Sequence, residues 1–272
     1  MAGIHCPSCE RYIGPVEICP YCRAKVGKSR AYVALKYGSL VIAVLGILLL
    51  RQIAALQGVP QIAINDIKLE SNYAYVEIRG VVCNPPSYFP EEYGIGSLYF
   101  NVDDGTGIIT IKSYPSTTKE ILAQNKIPSF GDYVKVRAQV QISGTDTSLV
   151  LQSANGLSIT RADAAAKTIS ELASSTSRAF KEGERVKVSG KLESYTQYKY
   201  ALSLRLSDLN EPAKNITIWI PQSIIELTGK GALAKLELGM VLEVEGSLKW
   251  YEAGRYSAWE VIPATTKDIK EV

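Results

Sequence analysis

Residues 37–50 of this chain, YGSLVIAVLGILLL, carry no charge, and apolar side chains fall on every face of a helix drawn through them. A helix that is apolar all round must be buried in a large core or in a bilayer. Lys36 and Arg51 bracket the run. With their aliphatic stems lying along apolar surface, the span reaches the ~20 residues that a ~30 Å hydrocarbon core requires. The expectation is a single transmembrane helix over residues 29–57, set in a lipid bilayer; the alternative is a buried core helix. A cysteine-rich unit precedes the segment and no small-residue cleavage site follows it, which reads as an uncleaved signal anchor.

Charge is spread unevenly about this helix. The chain carries a net +3, made of +5 in residues 1–59, −3 in residues 60–163 and +1 in residues 164–272. Arg23, Lys25, Lys28, Arg30 and Lys36 lie on the N-terminal side, while Arg51 and Lys68 are the nearby cations on the other. The positive-inside rule therefore predicts a cytoplasmic N-terminus and an extracytoplasmic remainder. The soluble part lacks the overall basic footprint usual in a nucleic-acid-binding domain.

Four of the five cysteines fall in the first 22 residues, as Cys6-x2-Cys9 and Cys19-x2-Cys22 with nine residues between the pairs. Two such knuckles can close a tetrahedral thiolate site, and Pro7 and Pro20 suit the tight turns. Four thiolates fill the coordination sphere of zinc and leave no place for water or substrate, so the predicted zinc is structural. An iron–sulfur centre and a redox dithiol pair are the other readings of these residues. His5 reads as a bystander because the thiolate set is already complete. The segment IHCPSCERYIGPVEICPYCRAK resembles the short zinc-ribbon domains that begin many prokaryotic membrane proteins, over about residues 4–26. That resemblance implies a zinc ribbon in residues 1–28 and a protein partner for it in the cytosol.

Beyond the helix the sequence is strand-rich and repeats itself. YVEIRGVV (75–82) aligns with RVKVSGKL (185–192), SLYFNVDDGTGIITIK (97–112) with SLRLSDLNEPAKNITIWI (203–220), and FGDYVKVRAQVQ (130–141) with LGMVLEVEGSLK (238–249). A period of about 110 residues is that of a duplicated domain, not of a solenoid. Each copy reads as three strands, a short helix and two more strands. ADAAAKTISELASSTSR, between the copies, reads as a helical or polar linker. The boundaries are then 60–161 for the first domain, 162–180 for the linker and 181–272 for the second domain. The FNVDDGTGIITI turn and the strand order resemble the OB-fold. The second copy keeps Asp208 but has no glycine turn, which leaves its barrel corner open. The predicted fold class is thus mainly β: two five-stranded OB-like barrels after a zinc ribbon and one transmembrane helix, with a non-OB β-sandwich as the alternative.

OB-folds bind oligonucleotides or oligosaccharides on the face of their second and third strands, between two framing loops. Alternation places Leu98, Phe100 and Val102 inward in the first copy and leaves Tyr99 outward, with Lys112 and Tyr114 on the next strand. Its first long loop, CNPPSYFPEEYG, offers Tyr88, Phe89 and Tyr93, but also Glu91 and Glu92, which would repel phosphate. In the second copy Arg205 and Trp219 point outward, and the loops add Tyr195, Tyr198, Lys199, Trp250, Tyr251, Arg255 and Tyr256. Rings on which bases stack, interleaved with cations that meet phosphates, are what a single strand needs. The same residues also suit ordinary exposed strands and barrel rims.

No catalytic constellation is visible. The single histidine removes imidazole-based mechanisms from the soluble part, the carboxylates form no pair, and DDGTG is a turn rather than a phosphate-binding loop. Cys83 reads as a small buried residue, and the Asn215-Ile216-Thr217 sequon lies in a strand. Two functions remain in competition. One is a membrane-tethered binder of single-stranded nucleic acid, implied by the OB resemblance and requiring a special case such as DNA uptake outside the cell. The other is an extracytoplasmic module that binds protein or glycan. A signal anchor followed by an outward OB barrel also looks like the haem chaperones of cytochrome c maturation, but no histidine lies beyond His5, and Cys83 stands five residues before Tyr88 where those chaperones have four.

Overall fold

The computed structural model describes residues 5–14, 16–26, 30–56, 58–91, 94–176, 179–254 and 256–272, the side chains of 30–33, 54–56 and 256 excepted. The chain divides into two compact units, Met1–Gly58 and Val59–Val272.

The first unit holds the cysteine knuckles and α1 (Arg30–Leu56). Leu, Ile, Val and Ala dominate α1, proline is absent, and no charge interrupts residues 37–50, so nothing stops propagation through the run. Over Ala34–Ile53 the mean hydropathy is 1.8 and none of the segment is buried. This is one helix long and apolar enough to cross a membrane.

In the second unit the strands β1 (Tyr75–Val82), β2 (Ser87–Phe89), β3 (Ser97–Asp103) and β4 (Ile108–Ser113) precede α2 (Pro115–Ala123), followed by β5 (Tyr133–Ser143), β6 (Asp146–Leu151) and β7 (Leu157–Thr160). β3 pairs with β1 and β4, β4 runs parallel to β6, and β5 joins β6 back to β1, so the order β1-β3-β4-β6-β5 closes on itself. Five strands with a helix between the third and fourth, closed in this order, are an OB-type barrel. Period-2 alternation fills it: Leu98, Phe100 and Val102 are buried on β3, together with Ile78, Ile111, Ile121, Leu149 and Leu157. β1 passes from β5 to β3 at Gly80, where a Cβ would lie 2.3 Å from the Asp103 carbonyl oxygen. Only glycine permits that approach.

The second copy continues with β8 (Ala165–Ala166), α3 (Ile169–Ala173), β9 (Arg185–Gln197), β10 (Ala201–Ser207), β11 (Asn215–Pro221), α4 (Gln222–Thr228), β12 (Val241–Ala253), β13 (Tyr256–Pro263) and β14 (Ile269–Glu271). Its ring β9-β10-β11-β13-β12 closes through β12–β9 pairing in the same connectivity. The chain is therefore mainly β, with two OB-type barrels, as its repeats and alternation predict.

An aspartate does the same work in each barrel. Asp104 Oδ1 accepts the amides of Thr106 (2.8 Å) and Gly107 (3.1 Å), and its Oδ2 accepts Ile64 N–H at 2.8 Å. Asp208 Oδ1 accepts the amides of Asn210 (2.9 Å) and Glu211 (3.1 Å), and its Oδ2 accepts Ser170 N–H at 2.9 Å. Each carboxylate thus ties the turn after the second barrel strand to the segment that enters the barrel. The second turn carries no glycine, yet its carboxylate makes the same contacts.

Among its described residues, the segment 162–180 is α-helical over Ile169–Ala173. Ile169 and Leu172 are buried in the second core, and Ile64 is buried in the first. The segment closes one end of the second barrel as residues 62–72 do for the first. The barrels also touch directly. Phe130, between α2 and β5, is packed in the second core, and a Cβ on Gly131 would lie 2.3 Å from the Gly183 oxygen. From the second barrel, Leu227 of α4 packs against the first core and Ser223 Oγ donates to Pro86 O at 2.7 Å.

Candidate functional site

The two knuckles are built alike. Cys6 N–H donates to Arg11 O and Glu10 N–H to Cys6 O, while Cys19 N–H donates to Ala24 O and Arg23 N–H to Cys19 O, each at 2.9 Å. The residue after each second cysteine is left-handed, Glu10 at φ 57° and Arg23 at φ 58°. Bridges His5–Tyr12 and Ile18–Lys25 flank the turns. All four sulfurs of Cys6, Cys9, Cys19 and Cys22 lie within 4.8 Å of one another, with Cys6–Cys22 at 3.4 Å and Cys9–Cys19 at 3.7 Å.

A tetrahedral ion with metal–sulfur bonds of ~2.3 Å needs sulfurs ~3.8 Å apart. The donor set fits, and these four residues could hold a metal ion. Their thiols are unequal. The Ser8 amide leads in lowering Cys6, whereas Cys19 is brought down to about 6 by the Cys22 and Tyr21 amides and neighbouring thiols, against burial. At Cys9 the Arg11 N–H favours the thiolate, but burial and the three neighbouring sulfurs together push the thiol up to about 12.

The predicted ligand-binding residues divide. On the first barrel, β2 pairs with β3 so that Phe89 lies opposite Ser97, and β4 places Lys112 opposite Tyr99. Phe89, Tyr99 and Lys112 share the outer face, and the Phe89 and Tyr99 rings stand 5.1 Å apart. The loop expected over 83–94 thus contributes a strand, because β1 reaches β3 only at residues 102–103 and leaves its remaining edge open to Ser87–Phe89. Glu92 and Tyr93 lie outside the described residues. Tyr114 is exposed and precedes α2.

On the second barrel Trp219, partly buried against the second core, lies opposite Ser203, and Arg205 lies opposite Thr217, with the Tyr198 ring 5.6 Å from Trp219. Arg205 Nε donates to Asn215 Oδ1 at 3.0 Å, which engages the sequon asparagine, and Ile216 is buried. Glu260 is opposite Thr217 on β13, and burial raises its carboxyl above the ordinary range. Lys199 sits over the Tyr200 ring at 5.0 Å.

Other residues point elsewhere. Tyr195 pairs with the core residue Leu204 and lines a cavity of about 450 Å³ with Leu202, Ile225 and Leu236, on the opposite side of the sheet from Trp219. Trp250 pairs with Trp259 and packs against the second core, its ring 5.2 Å from that of Trp259. Tyr251 is opposite Ala258 on the other side of that hairpin. Arg255 lies outside the described residues, as does the side chain of Tyr256. Cys83 is half-buried, its thiol pushed up by burial and aimed at Asn101 O at 3.6 Å.

Sequence reasoning passed over a row of charges on β1 and β5, where Glu77, Arg79, Lys135 and Arg137 face one another. Their alternation, YVEIR and YVKVR, is visible, but their meeting depends on the strand register.

No protein-family model matches this chain, and no curated protein matches it. Among solved structures it is similar to a Replication Protein A heterotrimer bound to ssDNA, at 14% identity and TM-score 0.34, over 76% of this chain and 53% of that one. An OB domain from Methanosarcina mazei is 15% identical over 38% of this chain and 84% of its own, with a TM-score of 0.29. The S. pombe Stn1–Ten1 complex is 17% identical over 32% of this chain and 59% of that chain, with a TM-score of 0.27. The chain spans about half the length of the matched Replication Protein A chain. The fold assignment itself rests on the closed strand order of each barrel.

Proposed function

We propose that this chain is a membrane-anchored tandem OB-fold protein that binds single-stranded nucleic acid, with a structural zinc in its N-terminal ribbon. The observation that carries the binding reading is a repeated arrangement. In each barrel an aromatic pair, Phe89/Tyr99 and Tyr198/Trp219, stands on the face of the second and third barrel strands, with a cation, Lys112 or Arg205, on the same face. Stacked rings with cations in reach serve bases and phosphates of a flexible strand without regard to sequence. Anchoring is supported by α1, whose exposed Leu, Ile and Val side chains would each cost about 1.5–3 kcal/mol in water and find their partner in lipid. The cations before α1 favour a cytoplasmic ribbon and extracytoplasmic barrels. The reading is that of a binding protein, not an enzyme.

A second reading, an extracytoplasmic module for protein or glycan, is favoured by the near-neutral charge of the barrels and by exposed Glu91 close to Phe89. Salt separates the two. Lys112 and Arg205 on the proposed faces, with Lys199 in the turn next to Tyr198, imply a log–log salt slope of about −2, at ~0.7 per phosphate. Fluorescence anisotropy of a labelled single strand with the full chain in detergent should show binding about 40-fold weaker after a sixfold rise in salt. Absence of binding at low salt would remove the nucleic-acid reading and leave the second.

A further inference from the structure

On the first barrel β1 and β5 run side by side over seven residue pairs, from Tyr75–Gln139 to Val81–Tyr133. Their outward side chains form two rows, Tyr75, Glu77, Arg79 and Val81 on β1 and Gln139, Arg137, Lys135 and Tyr133 on β5. This face belongs to β1 and β5, whereas Tyr99 and Lys112 stand on β3 and β4. Glu77 is its centre: the carboxylate is 4% exposed, with Arg79 Nη2 and Arg137 Nε at 2.7 Å and Lys135 Nζ at 3.9 Å. The cations themselves are 44%, 45% and 36% exposed. Three cations share one carboxylate, so these four groups carry a net charge of +2. Arg79 also borders a cleft lined by Asp103, Asp104 and Glu182, with no ion pair to any of them among the described residues. Tyr75 and Tyr133, 43% and 46% exposed, stand at the two ends of a row ~20 Å long.

The chain enters the barrel at this row. Pro60 O accepts Glu77 N–H at 2.9 Å and Ile62 N–H donates to Glu77 O at 3.1 Å. α1 ends at Leu56. Four peptide steps from Leu56 to Pro60 reach at most ~14 Å. Four peptide bonds thus separate the last residue of α1 from the residue whose carbonyl accepts the Glu77 amide.

We propose that the β1/β5 face docks on anionic lipid headgroups of the membrane that α1 crosses; this rests on the anchoring read above. Lys and Arg within about a Debye length of an anionic surface are drawn to it, and tyrosines settle at the headgroup level. Buried Glu77 holds Arg79 and Arg137 in place, so the charges are presented before contact. The two tyrosines stand at opposite ends of the row, too far apart for successive bases, so a single strand suits the face less well than a lipid surface does.

The test places the full chain in lipid nanodiscs, zwitterionic or containing anionic phosphatidylglycerol. Under single-hit acylation, mass spectrometry reads the modification rate of Lys135, with exposed Lys267 as internal control. Two excess charges, each worth about fivefold at an anionic surface, should slow Lys135 by about 25-fold in anionic discs, with recovery at high salt and Lys267 unchanged. Glu77→Gln raises the excess to three charges and should deepen the protection about fivefold; adding Arg79→Gln restores two and should return it to the wild-type level. A chain retained in the discs with Lys135 indifferent to lipid charge overturns docking and leaves anchoring intact. A chain that washes out of the discs overturns both. Protection of Lys135 by added single-stranded DNA but not by anionic lipid also overturns docking and gives the face to nucleic acid.

Discussion

Phe130 belongs by sequence to the first barrel, yet its ring is 6% exposed and packed among Trp259, Val186 and their neighbours in the second core. Truncating it to alanine withdraws roughly 150–200 Å² of ring surface, worth ~4–5 kcal/mol at ~25 cal/mol/Å². The close backbone approach of Gly131 to Gly183 hinders collapse of the gap. Lys249 Nζ, 5.8 Å from the ring centroid, loses a cation–π contact as well. The expected cost of Phe130→Ala is about 3–5 kcal/mol. Trp219, Trp250 and Trp259 are the three tryptophans of the chain and all lie in the second barrel, so their emission reports that barrel. With a urea slope of about 2 kcal/mol/M, the emission midpoint should fall by about 1.5–2.5 M. Ile111→Ala, in the first core, should act chiefly on far-ultraviolet circular dichroism. A Phe130→Ala protein whose emission midpoint stays within ~0.3 M of wild type would refute the shared packing of the barrels.

Cys19→Ser should abolish the one zinc per chain expected by elemental analysis of the purified protein, whereas Cys83→Ser should leave it unchanged. Asp208→Ala strands the amides of Ser170, Asn210 and Glu211, and tryptophan emission in urea should record a loss of about 3 kcal/mol. Glu77 is held below its ordinary value of 4.5, first by the hydrogen bond from Arg137 and then, against burial, by Arg79 and Lys135. A depressed folded value means that its stabilisation is complete above about pH 4.5 and is lost as pH falls through the depressed value. Urea midpoints between pH 6 and pH 3 should therefore decline less steeply in Glu77→Gln than in wild type.

The apolar helix, the knuckles and the duplication were legible because each depends on residues close in sequence: an uncharged run, a two-residue spacing, an alternation of period 2. What escaped depends on register and on contacts across the chain. A bulge between Arg205 and Leu206 shifts β10 against β9. Past it, Tyr195 lies on β9 opposite core residue Leu204, where the sequence reads as a loop. Trp250 reads as a loop residue because nothing local shows that β12 runs on to Ala253 and turns it onto Trp259. The segment 162–180 hides two core residues, Ile169 and Leu172, in an alanine- and serine-rich stretch. Phe130 crosses to the neighbouring barrel, and no periodicity records that.

The stacking faces are tested most directly by titrating a labelled 15-nucleotide single strand with full chain in detergent, wild type beside Tyr99→Ala/Trp219→Ala, circular dichroism confirming that both are folded. Base–aromatic stacking is worth about 1–3 kcal/mol per base, so losing one ring on each barrel should weaken binding by at least about 30-fold. Equal affinity in the folded variant would contradict the assignment of the two faces as the site of single-strand binding.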